Sequence, residues 1–528
     1  MSITSIVFVL FVFLSLSFFY LVPKRFQWIV LLISSVIFYL SCSTWGIIYI
    51  LITALTIYLS SKWMENILLK QKEYLKDNKS VLTKEEKTEY KQRNKIIRKR
   101  IMVTTLVVNF GILCVFKYFD FALNQFNNII GFFNLSPIDN TLNLVAPLGI
   151  SFYTFQATGY LVDVYWGNCK TENNFLKFLL FVSFFPQVTQ GPISEYSQLS
   201  DELFSEHEFT YKNFSNGFQR LIWGYFKKMV IANMLAPYVN NMFANYSEYM
   251  GVTCLVGAFA YSVQIYADFS GYMDIMCGVC ELFDIRLTEN FERPYFSKSI
   301  AEYWRRWHIS LGAWFKKYIY YPIGVSKWNQ KLGKNVQNKF GKHFGQSLPA
   351  SIALVAVWLT TGLWHGASWA YIAWGGVNGI IIIFSLWMEP IYSKLKKCLH
   401  INEKSFLWRA FQTIRTFIFV TFIKVLPEVG TLSDGVGFWK RIFTEHSVPS
   451  GFSDIFNWTD DNLSFLVLIF SIALLFVASL MQRKKPIRDY FNRFPLVLRS
   501  LLLIYLILII LIFAIAANAD GGFMYAKF

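Results

Sequence analysis

At 528 residues, with 55% hydrophobic and 19% aromatic side chains but only 16% charged ones, the chain is too apolar to be a set of soluble domains. Its net charge of +17 would suit a nucleic-acid binder, but the excess Lys and Arg lie in short stretches beside apolar runs, where they report membrane orientation instead. The composition predicts an all-α, polytopic membrane protein with roughly 11–13 membrane segments, some re-entrant or interfacial, forming a single domain over residues 1–528.

Residues 3–22 are apolar, with no basic residue ahead of them and Lys24 and Arg25 behind. This is the reverse of a secretory signal peptide and reads as a retained span with the N-terminus outside. After a second run at residues 27–40 and a third span, residues 62–100 carry 13 Lys/Arg against 6 Asp/Glu, leaving +7. That excess predicts a basic cytosolic loop. A fourth run, residues 102–116, leads to residues 120–143, which lack Lys and Arg and are expected outside. Residues 175–193 are short for a span and broken by Pro186. Between residues 195 and 306, acidic residues precede short, Pro-interrupted runs, and the number of crossings is open there.

Read back from the apolar runs at residues 463–481 and 496–516, the charge pattern places 483–493 inside, 445–462 outside and 394–404 inside. The five lysines of residues 327–342, with no acid among them, then fall inside as well. Two apolar segments therefore run out and back between Lys342 and Lys394. Their turn is Trp364-His365-Gly366-Ala367, which sets His365 on the outer side. An ionisable ring in such a hairpin is costly and is a functional candidate by default.

Ser299-Ile-Ala-Glu302 has the form of a capping box and predicts a helix to about Tyr321, where Pro322 and Gly324 stop it. On that helix Trp304, Trp307, His308, Leu311 and Phe315 share one face, while Arg305, Arg306, Lys316 and Lys317 fall mainly elsewhere. Taken alone this is an interfacial amphipathic helix whose histidine is a hydrogen-bonded structural residue. A second intramembrane histidine, His365, makes His308 a candidate for chemistry. Asp163, Asp268 and Asp274 also stand in apolar surroundings. They either orient an imidazole or relay protons, or are paired with Arg305, Arg306 or backbone donors. His207, His343, His400 and His446 lie in charged or polar stretches and read as solvated. Of the seven cysteines, Cys277 and Cys280 have CxxC spacing but no second ligand pair nearby, so no metal site is expected. Walker, serine-hydrolase, zinc-peptidase and dinucleotide motifs are missing from the sequence. What remains is base chemistry by histidine in a membrane.

Seven strings carry a family resemblance: Ala146-Pro-Leu-Gly-Ile-Ser-Phe-Tyr-Thr-Phe-Gln156, Phe184-Phe-Pro-Gln, Gly191-Pro-Ile, Gln264-Ile-Tyr-Ala-Asp-Phe-Ser-Gly-Tyr, Glu289-Asn-Phe-Glu-Arg-Pro-Tyr295, Tyr303-Trp-Arg-Arg-Trp-His-Ile-Ser-Leu311 and Leu363-Trp-His-Gly-Ala. Over nearly its whole length the chain resembles the membrane-bound O-acyltransferase family, in its bacterial alginate O-acetyltransferase-like branch. The resemblance implies that His365 is the catalytic histidine and His308 the second polar residue of a catalytic region at 299–365. It also implies a helical bundle with a tunnel from the cytosolic face to an outer funnel. Trp304, Arg305, Arg306, Trp364 and Asp268 are supporting candidates.

The corresponding chemistry needs no bound cofactor. Acetyl-CoA, or an acyl carrier protein, would be the donor, and a polysaccharide outside the cytoplasmic membrane the acceptor, through an extracytoplasmic partner acetyltransferase. Lys316 and Lys317, near the lysines of 327–342, would attract the donor's phosphates or an acidic carrier. Gly362, Gly366, Ala367 and Ser368 would open a path for the thioester arm. His365 would act as general base or form a transient acyl-histidine; both routes are open. Residues 521–528 differ from the ending associated with that branch. D-alanyl transfer to teichoic acid is the alternative within the family. A polysaccharide-precursor transporter using the histidines and carboxylates as a proton relay is the alternative outside it, although no internal repeat is present.

Overall fold

The computed structural model describes residues 1–142, 144–445, 458–459 and 461–516, which are helical almost throughout. Nine helices among the described residues are long and apolar enough to cross a bilayer, as a multi-span membrane protein requires. The other segments of the expected set are shorter: the 16 residues of α1 (Ile6–Leu21) and the buried helices α5 (Ile150–Trp166) and α6 (Phe175–Ser183) described below. By packing, the chain divides into two compact units: residues 1–214 with 280–287, and residues 215–279 with 288–528.

In the first unit α1 is followed by α2 (Gln27–Cys42), α3 (Gly46–Asp77) and α4 (Lys84–Gly131). The basic stretch 62–100, expected as a loop, is a continuation of α3 and α4 that turns only at residues 78–83. Hydrophobicity stops there, but the Lys, Glu, Gln and Arg that follow are strong helix formers. Thr83 starts α4 with a complete capping box, its hydroxyl accepting from Glu86 N at 3.2 Å and its own N–H donating to the Glu86 carboxylate at 2.8 Å. Residues 120–131, expected as part of an external loop, are instead the last turns of α4.

The resemblance strings of this unit interlock. Gly149, which begins the buried helix α5, has φ of +72°, and a Cβ there would lie 1.9 Å from the Val188 carbonyl oxygen. No other residue fits. Gln156 donates to Phe181 O in α6 at 2.7 Å, and Gln187, in the short helix α7 (Phe185–Val188), donates to Pro192 O at 2.8 Å. After α8 (Tyr196–Phe204), His207 is not solvated as expected: it is 4% exposed. Its Nε2 lies 2.7 Å from Glu202 O, its Nδ1 is 3.5 Å from Asp284, and its N–H donates to Gln27 at 3.0 Å. Three local polar partners, none adjacent in sequence, account for the difference.

Next come α9 (Tyr211–Tyr225), a π-helical segment over Phe226–Ala232, α10 (Asn233–Ala244) and the long α11 (Gly251–Leu282). The region 299–365 is built from α12 (Ile300–Arg306), α13 (Ile309–Phe315), a π turn at Lys316–Tyr320, α14 (Tyr321–Gly324), α15 (Lys327–Phe340) and α16 (Lys342–His365). The lysine stretch 327–342 is thus helix rather than loop. It is held to α16 by Asn329, which donates to Pro349 O at 3.0 Å. The hairpin of α16 and α17 (Trp369–Trp387) turns at 366–368, as the sequence predicts. There follow α18 (Glu389–Cys398), α19 (Phe406–Val425), α20 (Leu432–Thr444), α21 (Asn462–Met481), α22 (Ile487–Phe491) and α23 (Leu496–Ala516). His343 is half-buried and His400 exposed; His446 and the ending 521–528 lie outside the described residues.

Candidate active site

Ser299 caps as predicted, accepting from Glu302 N at 3.1 Å, but the helix it starts ends at Arg306, not Tyr321. His308 stands at φ 51°, ψ 54°, a left-handed conformation, and α13 begins after it. The break comes from another part of the chain. The string at 289–295 runs alongside, forming an antiparallel bridge between Phe291 and Trp307, with Glu292 N donating to Arg306 O at 3.0 Å. Asn290 supplies what a capping side chain would: Ile309 N donates to its carbonyl at 3.1 Å and Ser310 N to its side-chain oxygen at 2.9 Å. A non-glycine residue held at such angles costs about 1–3 kcal/mol and persists only where its surroundings over-determine it. These three bonds do so. Trp304, Trp307, His308, Leu311 and Phe315 therefore do not share one continuous helix face, which corrects the periodic reading.

The His308 ring is 2% exposed. It meets Phe269 of α11 edge-on at 4.9 Å between centroids and Trp364 at 6.0 Å. Burial pushes its pKa down to about 3, so the ring is neutral at ordinary pH.

His365 is the last residue of α16 and is also buried. Trp364 and Trp374 meet it edge-on, each at 4.8 Å, and Tyr371 lies parallel to it at 6.4 Å and 13°. Trp364 thus touches both imidazoles, and it is the side chain that joins the two predicted catalytic residues into one cluster. Trp304 extends it: its ring meets Trp374 at 5.4 Å, and its indole N–H donates to Asn378 in α17 at 3.0 Å.

Two glycines expected to open a path are packing positions instead. A Cβ at Gly362 would lie 2.6 Å from Tyr371 O, and one at Gly366 would lie 2.2 Å from the Tyr371 ring. They let α16 and α17 approach closely. Ala367 and Ser368 form the turn, with the Ser368 hydroxyl accepting from Tyr371 N at 3.4 Å.

The carboxylates have partners other than those expected. Asp268 pairs with Lys228 at 2.6 Å, both buried, and Asp274 with Lys227 at 2.6 Å and Arg220 at 3.0 Å. Arg306 instead pairs with Glu302 one turn away at 2.6 Å, and Arg305 is exposed. Asp163, in the first unit, is buried. On the π turn, the Lys316 ammonium lies over Tyr321 and that of Lys317 over Tyr318.

Sequence reasoning missed Asn290, Tyr371, Lys424 and Glu428. Lys424, in the last turn of α19, is buried with its ammonium 3.6 Å from the centroid of Trp307, and it donates to the Tyr295 hydroxyl at 3.0 Å. A lone lysine in the apolar run 417–426 was the available signal. Among the described residues no group of three or more His, Cys, Asp or Glu could hold a metal ion.

Residues 170–426 match the model of the MBOAT, membrane-bound O-acyltransferase, family. The chain is 32% identical over 345 residues to the probable alginate O-acetylase AlgI of Pseudomonas aeruginosa, covering 65% of this chain and 60% of that one. It is 33% identical over 307 residues to the peptidoglycan O-acetyltransferase of Helicobacter pylori, covering 53% and 54%. To the teichoic acid D-alanyltransferase of Bacillus subtilis it is 27% identical over 261 residues, covering 48% and 62%. The match spans 60% of the first of these relatives and 54% of the second.

Proposed function

We propose that this chain, a member of the membrane-bound O-acyltransferase family, moves an acetyl group from a cytosolic thioester to a hydroxyl of an extracytoplasmic polysaccharide, directly or by way of a partner transferase. The observation that carries the reading is the pair of buried imidazoles, His308 and His365, set against the one indole of Trp364 where the α16–α17 hairpin turns.

In this reading His365 accepts the proton of the attacking hydroxyl. The oxygen bonds to the thioester carbonyl carbon, the carbon–sulfur bond breaks, and the thiolate leaves to be protonated. His308, neutral in its apolar surroundings, donates or accepts one hydrogen bond to donor or acceptor without adding a charge. Acetyl-CoA is the proposed donor, entering from the cytosol through a tunnel, with Lys316 and Lys317 drawing its phosphates. The membrane is the cytoplasmic one, and the N-terminus is outside. The relatives named as acetylases, at 32–38% identity, favour acetyl over D-alanyl, for which the named relatives stand at 27–28%.

The test is transfer from acetyl-CoA labelled in its acetyl group, with protein in proteoliposomes and the host's de-O-acetylated polysaccharide as acceptor. His365→Ala should lose at least about 10²-fold, as general-base catalysis requires. A well-folded, fully active His365→Ala would reject the assignment. Absence of transfer by the wild type, with precursor export intact, would favour the transporter.

A further inference from the structure

Both histidines are supported from the same place. In the turn that follows α19, Glu428 accepts a hydrogen bond from the Tyr371 hydroxyl at 3.2 Å, and Tyr371 is the ring lying parallel to His365. Gly366 leaves room for that ring directly beside His365, since any Cβ there would overlap it. Four residues before Glu428, Lys424 holds Trp307, whose ring it faces at 3.6 Å. The same ammonium donates to Tyr295, and a second ring, Tyr303, stacks on Trp307 at 5.6 Å and 23°. Trp307 directly precedes His308, so fixing its ring fixes the backbone from which the left-handed His308 departs.

We propose that the C-terminal end of α19 is a positioning device for the reaction: Glu428 holds Tyr371 against His365, and Lys424 holds Trp307 and with it His308. Both act through an intermediate ring, Glu428 through Tyr371 and Lys424 through Trp307. Tyr371, parallel to the His365 ring, restricts its tilt. Lys424 gains from the ring faces and the Tyr295 oxygen what a buried ammonium needs to be tolerated.

The inference rests on the proposed roles of His365 and His308, and its test separates the two. Initial rates of acetyl transfer from labelled acetyl-CoA to the host's de-O-acetylated polysaccharide give kcat and KM for each full-length variant in proteoliposomes. Tyr371→Phe, which keeps the ring and removes the hydroxyl, should lower kcat about tenfold, with KM for acetyl-CoA within about twofold of wild type. Glu428→Ala should lower kcat at least as much, since Glu428 also interacts with the Lys424 charge, and the double variant should be no slower than Glu428→Ala alone, because the Tyr371 bond is already lost there. Glu428→Gln should recover most of the rate, since its amide oxygen still accepts from the phenol. Lys424→Met should lower kcat to the level of His308→Ala and add nothing to it. A residue that only stabilises the fold would show neither the kcat-only effect nor the glutamine rescue.

Wild-type kcat in Tyr371→Phe, or additive losses in the Tyr371→Phe, Glu428→Ala double variant, would overturn the device. Should Glu428→Ala fail to purify as a single species, Tyr371→Phe alone decides the His365 arm. If His365→Ala is fully active, it is the base assignment that fails. If His365→Ala is inactive while Tyr371→Phe matches wild type, only the positioning inference fails.

Discussion

At the scale of single residues, the two histidines occupy different electrostatic and conformational situations despite sharing Trp364. His308 is bent out of a helix and kept neutral by burial, whereas His365 closes a helix against a glycine turn. Because the protonated form of His308 is disfavoured down to about pH 3, it does not titrate in the range where enzymes are assayed. His308→Gln should therefore lower the rate of acetyl transfer while leaving the acid limb of the pH–rate profile at its wild-type midpoint. A shifted midpoint would assign that limb to His308. The two positions should also be non-additive: His308→Ala, His365→Ala should be little slower than His365→Ala alone, as for residues acting in one step. Gly366→Ala tests the packing reading of the turn. Its Cβ would sit 2.2 Å from the Tyr371 ring, so Tyr371 must leave its place over His365, and transfer should fall by more than about tenfold with insertion intact. Equal activity would mean that the ring has freedom the structure does not suggest.

At the scale of elements, local pattern and tertiary contact part company at two places. The hairpin of α16 and α17 was legible because two apolar runs flank a short turn of small residues, Gly366-Ala-Ser. The interruption at His308 was not, since Arg305, Arg306, Trp307 and Ile309 contain no helix breaker. It depends on Asn290, eighteen residues earlier, offering two acceptors to the N–H groups of Ile309 and Ser310. Asn290→Ala should cost about 1 kcal/mol or more in stability, from the lost bond to Ser310 N, and should lower activity through His308. Asn290→Asp keeps the acceptor but buries a carboxylate and loses the amide that donates to Met273 Sδ, so it should not rescue the loss, and thermal unfolding in detergent compares the variants. The second place is the buried carboxylates. A lone aspartate in an apolar helix invited a catalytic reading, while Lys227 and Lys228, in the π segment after α9, were the overlooked partners. Removing one member of a buried pair leaves a buried charge, so Asp268→Leu or Lys228→Met alone should cost about 3–5 kcal/mol. The double substitution should recover most of it. Additive losses would show that each residue has a role independent of the other.

At the scale of the whole molecule, charge asymmetry predicts orientation and apolar run length predicts crossing, but neither marks where a helix ends. The 48 residues of α4 extend about 72 Å at 1.5 Å per residue, more than twice the roughly 30 Å hydrocarbon thickness of a bilayer. Only its middle needs to be apolar. Its N-terminal turns and the C-terminal turns of α3 form a basic helical arm over residues 62–100, turning at 78–83. The positive-inside rule puts that arm in the cytosol and the basic-free residues 132–149 after α4 outside. In a background with the seven native cysteines replaced, Ser80→Cys and Ser136→Cys report the two ends of this helix pair. A membrane-impermeant maleimide applied to intact cells should label Ser136→Cys and should reach Ser80→Cys only after lysis. Ser80 lies in the turn between α3 and α4 and Ser136 in the exposed stretch after α4, both outside the apolar cores, so neither label is limited by burial in the bilayer. The opposite pattern would put the +7 arm outside. It would also remove the basis for drawing an acetyl-CoA donor from the cytosolic side, because the placement of His365 was read from the same charge rule.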